Sequence, residues 1–342
     1  MPFMKIERAG LFSQIQDLGR TGHQKIGVSV NGPMDEWSHR LANAIVGNAD
    51  DCAVLECTFS GPRAAFTEDT VVALCGARMQ VTIDGRRVPL NCALYVRRGA
   101  VLDIGRRIDG ARIYLAVRGG FATPRVLGSR STNSRAGFGG YDGRILRAGD
   151  EVPVADARRG DAPLRLEKYG VQSGLPFVAA RPVAAVPPAA PEGRVRFIAG
   201  PQWAAFTQDA QADFVSRRYL VSPQSDRMGL RLKGEALTLQ RPLEIVSEAT
   251  VFGTVQVPPD GLPIVLMADR QSSGGYPKIG YVAGADLPRL AQLQPNDTLG
   301  FQPISQAEAE TLWRAFVRKL AAAREAAALA LSANPLSHGP AA

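Results

Sequence analysis

A mainly β protein with a few helices is what this sequence predicts, and three observations carry it. The 342 residues include 35 Gly and 24 Pro, which punctuate the chain into short strands and turns. Residues 79–83 alternate apolar and polar side chains and run into Asp84-Gly85, a tight hairpin signal. Further on, two apolar runs, 254–257 and 264–267, flank Pro258-Pro259-Asp260-Gly261, where Pro presets φ and Gly accepts a positive one.

The elements follow in order. Residues 33–46 read as a helix, with Trp37, Leu41, Ala44 and Ile45 on one face and Gly47 placed to cap its end. The β pattern continues through 79–83, 101–104 and 113–117. Pro182, Pro187, Pro188 and Pro191 mark a Pro/Ala-rich linker or strap. Strands are expected near 195–198, 229–232, 254–257, 264–267 and 298–301, and Asp286 is placed to cap a short helix carrying Leu290 and Leu293. Ser305 and Glu308 form a capping-box pattern opening a helix through Leu312, Phe316 and Leu320, and the Ala-rich sequence beyond is expected to fray. The domains expected are a β-rich N-terminal one over 1–170, a linker at 171–193, a C-terminal domain over 194–320 and a tail at 321–342. Gly61–Asp69 echoes Gly200–Asp209, and Leu146–Asp150 echoes Leu293–Asp297, in the same order. Two copies of a related β unit would explain both pairs, and so would the recurrence of common turn sequences.

Composition excludes several classes. A net charge of +8 with only six lysines raises nucleic acid first, but the arginines are scattered among acidic and apolar residues, without a basic run. No nucleic-acid partner is expected. No window approaches 18 uninterrupted apolar residues, and the N-terminus lacks a signal-peptide pattern, so a cytoplasmic protein without a membrane span is expected. Cys52, Cys57, Cys75 and Cys92 include no Cys-x-x-Cys pair and sit among apolar residues, as buried thiols do; no metal site is expected. His23 and His39, the two histidines before the tail, lack a recognisable nucleophile motif.

Four clusters have the residue types for chemistry. The first is Gln16-Asp17-Leu18-Gly19-Arg20 with Asn31-Gly32-Pro33-Met34-Asp35; here Asp17 and Arg20 read as a surface pair and Asp35 as a carboxylate favoured by a helix dipole. The second, Gly128-Ser129-Arg130-Ser131-Thr132 followed by a Gly-rich loop, combines hydroxyls, guanidinium and free amides suited to an anion, though it is not a Walker loop. The third is Ser225-Asp226-Arg227-Met228-Gly229 with Ser247-Glu248 downstream, and the fourth is the run from Asp269 to Lys278. Both contain adjacent Asp-Arg pairs, whose carboxylates stay ionised. Lys278 is the candidate cation facing a substrate.

These motifs resemble one family along nearly the whole chain. Gln16–Arg20, Gly32–Asp35, Leu41-Ala42-Asn43, Leu55-Glu56, Gly128–Thr132, Ser225–Gly229 and the run 253–278 look like those of the allophanate-hydrolase-subunit-two, or biotin-dependent carboxyltransferase, family. The branch resembled most is the C subunit of ATP-dependent 5-oxoprolinase. The resemblance implies a cyclophilin-like β-barrel architecture, with two related barrel units as one form of it. It also implies a hetero-oligomer with a B subunit, similar to allophanate hydrolase subunit 1, and an A subunit. The activity implied is ATP-driven opening of 5-oxo-L-proline to L-glutamate. Membership of a carboxyltransferase acting on urea or another amide, with biotin on a separate carrier, is the alternative. A regulatory antagonist of a kinase inhibitor is a third possibility within the family. The ligand is in either enzymatic case a small lactam or amide. Asp226, Arg227, Glu248, Asp269, Arg270 and Lys278 would then be catalytic; Gln256, Gln271, Gly274, Gly275, Tyr276, Ser129, Arg130 and Thr132 would bind substrate or anion. No phosphate-binding motif of known type marks ATP in this chain, and Met4-Lys5 lacks the flanks of a biotin acceptor.

Overall fold

The computed structural model describes residues 2–156, 164–188, 191 and 193–333. The chain divides into two compact units. The first comprises residues 1–19, 35–186 and 319–342; the second comprises 20–34 and 187–318. The chain therefore leaves the first unit at Arg20, returns at Asp35 and leaves again after Val186. The crossing after Val186 falls in the Pro/Ala-rich stretch read as a linker, whereas those at Arg20 and Asp35 depend on contacts far apart in sequence and no composition shift marks them.

Ten strands build the sheet of the first unit. Its path runs Phe177–Ala179, Leu94–Val96, Thr70–Ile83, Val101–Val117, Arg63–Phe66, Phe3–Arg8, Glu151–Pro153. The two runs expected at 101–104 and 113–117 are one strand of 17 residues. Its early part pairs with Arg63–Phe66 and its later part with Val54–Thr58, which in turn pairs with Phe12–Gln16. The sheet branches there and is not hydrogen-bonded into a closed ring. The hairpin turn expected at Asp84-Gly85 is present, with φ of 48° and 76°. Phe177–Ala179, inside the expected linker, is an edge strand against Leu94–Val96, and helix Arg165–Ser173 precedes it.

Two apolar clusters fill this unit. One gathers Leu55, Leu74, Ile104, Leu115 and Phe121; the other gathers Leu41, Ile45, Val71, Tyr95 and Val178. Helix Glu36–Ile45 supplies the second, and its N-cap Asp35 accepts a hydrogen bond from Ser38 N. Gly47, at φ 77°, ends it as expected. The C-terminal helix Gln306–Ser332 does not fray at Ala321. Ala323, Ala327 and Leu331 recur every four residues and are buried in the second cluster, so tertiary burial continues a helix that composition alone would let unwind.

The second unit is a closed barrel of seven strands. Around it run Arg194–Ala199, Lys278–Val282, Thr254–Gln256, Ile264–Leu266, Gly229–Lys233, Arg218–Val221 and Thr298–Pro303, the last returning in parallel to Arg194–Ala199. Helix Gln208–Ser216, absent from the sequence reading, brings in Phe214, which stacks on Phe301 at 4.3 Å and meets Phe197 edge-on at 5.0 Å. Asp286 does not cap the helix Leu287–Ala291 with its side chain; buried, it takes two hydrogen bonds from the guanidinium and one from the backbone N–H of Arg196. The capping box forms as expected, with Ser305 N donating to Glu308 at 2.7 Å.

The two sequence echoes part ways. Arg63–Phe66 is a strand whereas Trp203–Ala205 is a 3-10 turn, so the first echo has no common structure. In the second, Asp150 accepts from Arg147 N at 2.7 Å and Asp297 from Gln294 N at 3.0 Å, with Gly149 and Asn296 both at positive φ. Each turn leads into a strand, Glu151–Pro153 or Thr298–Pro303.

Candidate functional site

The adjacent Asp-Arg pairs of the sequence do not pair with each other. Asp226 is exposed and its Oδ1 accepts from the backbone N–H groups of Met228 and Gly229, a turn of its own making. Arg227 instead reaches Asp269, Nε to Oδ2 at 2.8 Å and Nη2 to Oδ1 at 3.0 Å. The barrel ladder makes this possible: Met267 N donates to Met228 O and Asp269 N to Arg227 O, which brings the two residues side by side. Both side chains are largely buried, at 6% and 13% exposure, so the bidentate pair lies out of bulk water. Asn31 Nδ2 adds a bond to Asp269 Oδ1 at 2.8 Å, Arg20 donates to Asn31 Oδ1 at 2.5 Å, and Arg227 also donates to Gly32 O at 2.7 Å. Arg20 and Asn31 thus join the Asp269 cluster rather than a surface pair. The sequence contained both in its first motif, but nothing local links residues so far apart.

Arg270 is held by its backbone, whose carbonyl accepts from Ser29 Oγ at 2.9 Å. Its guanidinium carbon lies 5.8 Å from the Phe252 ring centroid, and its buried Nε has no hydrogen-bond partner. Burial lowers the Arg270 pKa from the ordinary value, while the charge of Asp269 acts the other way.

A separate cluster forms around Lys278. The register of the strands places it at the opposite end of the barrel strands from Asp269: Gln256 pairs with both Lys278 and Ile264, while Gly229 pairs with Leu266. Val255 and Val257 point into the barrel core, so by alternation Gln256 faces the other way. Lys278 is fully buried, and its Nζ donates to Glu248 Oε2 at 2.8 Å, a carboxylate that is half exposed. Glu248 arrives on a two-stranded ribbon in which it pairs with Gly274. Gln256 is 2% exposed and its Nε2 has no partner. A Cβ at Gly274 would stand 2.6 Å from that nitrogen and 3.4 Å from Gln271 Nε2, so only glycine leaves the space between these donors open. Gly275 lies beside Ile245 O, and Tyr276 is 46% exposed. The structure therefore gathers Glu248, Gln256, Gln271, Gly274 and Lys278 in one place, and Arg227 with Asp269 in another.

Ser129 and Arg130 of the first unit do meet an anion, together with Ser131, but it is the chain's own, and Thr132 is turned to a backbone carbonyl instead. Asp17 accepts from Ser129 Oγ at 2.5 Å, Ser131 Oγ at 2.7 Å, Arg130 N at 2.6 Å and Gly19 N at 2.9 Å. Thr132 Oγ1 donates to Ile15 O at 2.8 Å. A nucleotide phosphate does not fit this loop, since its hydroxyls and amide already serve a carboxylate that would repel a second anion.

His39 is wholly buried in the same unit, and burial pushes its imidazole down to about 4, with the Asp17 charge opposing. The folded value is depressed, so the unfolded chain binds the proton first. Stability present above pH 6.5 is expected to fall as pH drops toward 4, by about 3 kcal/mol in all. His39→Gln should flatten that acid limb in denaturant titrations run between pH 7 and 4. The four cysteines are free thiols; burial raises Cys57 and Cys92 to about 12. Among the described residues no group of three His, Cys, Asp or Glu side chains could hold a metal ion, and no helix is long and apolar enough to cross a membrane.

Comparison with known proteins gives these clusters a context. Residues 26–303 match the family described as carboxyltransferase domain, subdomain A and B. The chain is 38% identical over 300 residues to the C subunit of the 5-oxoprolinase of Haemophilus influenzae, covering 88% of this chain and 91% of that protein. It is 36% identical over 306 residues to the C subunit of the Escherichia coli 5-oxoprolinase, covering 90% and 93%. The urea carboxylase of Kluyveromyces lactis has a similar structure, with a TM-score of 0.84 and 30% identity over 95% of this chain, though over only 29% of the other. A family match across most of the chain, near-complete relatives on both sides and a shared three-dimensional structure agree, and this chain belongs to the carboxyltransferase subdomain A and B family.

Proposed function

We propose that the chain is the C subunit of an ATP-dependent 5-oxoprolinase, active with A and B partner subunits in the cytoplasm, which opens 5-oxo-L-proline to L-glutamate. The observation that carries this reading is the match to two bacterial C subunits over about nine-tenths of both partners, whereas the yeast urea amidolyase is covered over only 17% of its length. The chemistry of the clusters is compatible. Opening a lactam builds negative charge on its carbonyl oxygen, and donors held in advance stabilise that charge without reorganising. Arg270 brings an unpartnered buried Nε, and Gln256 an unpartnered buried amide nitrogen. Glu248, Arg270 and Lys278 are assigned to the substrate site; Asp226, in its own exposed turn, and the Arg227–Asp269 pair, gathered elsewhere with its donors largely spent, are left out of it. ATP chemistry is assigned to the complex, because the loop at Ser129 holds Asp17.

The decisive experiment combines the chain with its B and A partners and measures ATP-dependent glutamate release from 5-oxoproline. Release supports the reading. Carboxylation of urea with an added carboxybiotin carrier, and no glutamate, would transfer the chain to the carboxyltransferase alternative, which the likeness to urea carboxylase favours. Partner binding with neither activity would leave a regulatory role. Arg270→Ala is expected to cut turnover by about 100-fold or more, the scale of losing one oxyanion donor, while the complex still assembles on a sizing column. Turnover within twofold of the parent would remove Arg270 from the site.

A further inference from the structure

Lys278 presents an unusual balance of burial. Its ammonium is out of solvent, yet its ion-pair partner among the described residues is a carboxylate that is 49% exposed on a two-stranded ribbon. A buried cation stripped of its partner costs several kcal/mol, so the seat demands an anion at all times. It does not demand Glu248 in particular. Gln256, paired in register with Lys278, has a buried Nε2 without an acceptor, and Gln271 Nε2 lies 3.4 Å from where a Cβ at Gly274 would stand. A purely structural Lys–Glu pair would need neither amide. The segment that leads to Glu248 is lightly held: residues 241–247 form no helix or strand and are exposed apart from Ile245, with Val246 at 89%.

The geometry points to Lys278, Gln256 and Gln271 as a seat for a ligand carboxylate, with Glu248 as its displaceable internal occupant. This rests on the 5-oxoprolinase reading only in naming the acid, since 5-oxoproline carries a carboxylate next to its lactam. An incoming carboxylate exchanges with that of Glu248, one anion for another, and no proton moves. Lys278 keeps a partner throughout, and the spare Gln256 amide gains an acceptor that Glu248 does not give it. Exchange frees the 241–249 segment and the ribbon from the barrel wall. The seat separates acidic lactams from neutral amides such as urea, which has no group to displace Glu248.

Titration calorimetry on the full chain tests this with three probes: 5-oxo-L-proline, glutarate, and 2-pyrrolidinone, which has the lactam without the acid. Removing an occupant that fills the seat nine-tenths of the time raises apparent affinity about tenfold. Glu248→Gln is therefore expected to bind both acids about tenfold tighter than the parent, and 2-pyrrolidinone by less than about twofold. Adding Lys278→Met to Glu248→Gln should abolish acid binding. Equal or weaker acid binding by Glu248→Gln, or the same gain for 2-pyrrolidinone, overturns the proposal. The two readings fail separately. If glutarate gains while the reconstituted complex releases no glutamate from 5-oxoproline, the seat stands and the substrate assignment falls. If the complex turns over while neither acid gains, the seat falls alone.

Discussion

Asp269→Ala is expected to lower the unfolding free energy by about 3–5 kcal/mol, the cost of leaving a buried charge without its partner. Arg227 is 6% exposed on its side chain and donates twice to Asp269 and once to Gly32 O. Removing the carboxylate leaves that guanidinium unneutralised and also strips Asn31 Nδ2 of its acceptor. Much of the loss belongs to the broken pair and not to Asp269 as such. The double variant Arg227→Met, Asp269→Leu should therefore recover most of it, because two apolar side chains of similar size leave no charge to desolvate. Guanidinium unfolding of the parent, both single variants and the double variant measures the cycle. Single variants within about 1 kcal/mol of the parent would mean the pair is hydrated and contributes as a surface pair does.

The second large effect is expected at Asp17. Its carboxylate collects four hydrogen bonds, from Ser129 Oγ, Ser131 Oγ, Arg130 N and Gly19 N, and is 5% exposed. In Asp17→Ala all four donors lose the carboxylate, though Ser131 Oγ still reaches the backbone carbonyl of residue 17 at 3.3 Å. Each unsatisfied buried donor costs about 1–3 kcal/mol, but water entering the space would satisfy some, so a net loss of about 3–5 kcal/mol is expected. Asp17→Asn keeps the shape while placing an NH₂ group against donors, and should lose about half as much. Thermal unfolding reads both. A loss below about 1 kcal/mol for Asp17→Ala would show the loop standing on its own, and would reopen it to an external anion.

The Ser129 loop illustrates how far residue types alone can be read. Hydroxyls and amides beside glycines do indicate an anion, and an anion is there, but residue type does not say whether the charge comes from a ligand or from a residue over 100 positions earlier. The same holds for the Asp-Arg pairs. Asp226 folds back onto the N–H groups of Met228 and Gly229 within its own turn, and the barrel register supplies Asp269 to Arg227 instead. Glu248 and Lys278 stood in separate motifs for the same reason; a two-residue ribbon pairing brings them together. Gln256, Gln271 and Gly274 were legible as candidates because the run 253–278 packs polar groups into a turn-rich stretch, whereas the orphaned state of Gln256 became visible only with its neighbours in place.

Residue order was readable wherever near neighbours decide the outcome. Turn residues placed the hairpin at Asp84-Gly85, short-range bonds placed the box at Ser305 and Glu308, and local patterning placed five of the seven barrel strands to within two residues, with Arg218–Val221 and Lys278–Val282 unread. The ordered motifs also determined the family. Tertiary structure alone decided which motif meets which: residues 20–34 group with the second unit, the last helix runs on to Ser332, and the charges regroup as Arg227 with Asp269 and Lys278 with Glu248. The physical reason is that burial and strand register are long-range. A buried charge takes whichever partner the closed sheet delivers, and no local pattern encodes that choice.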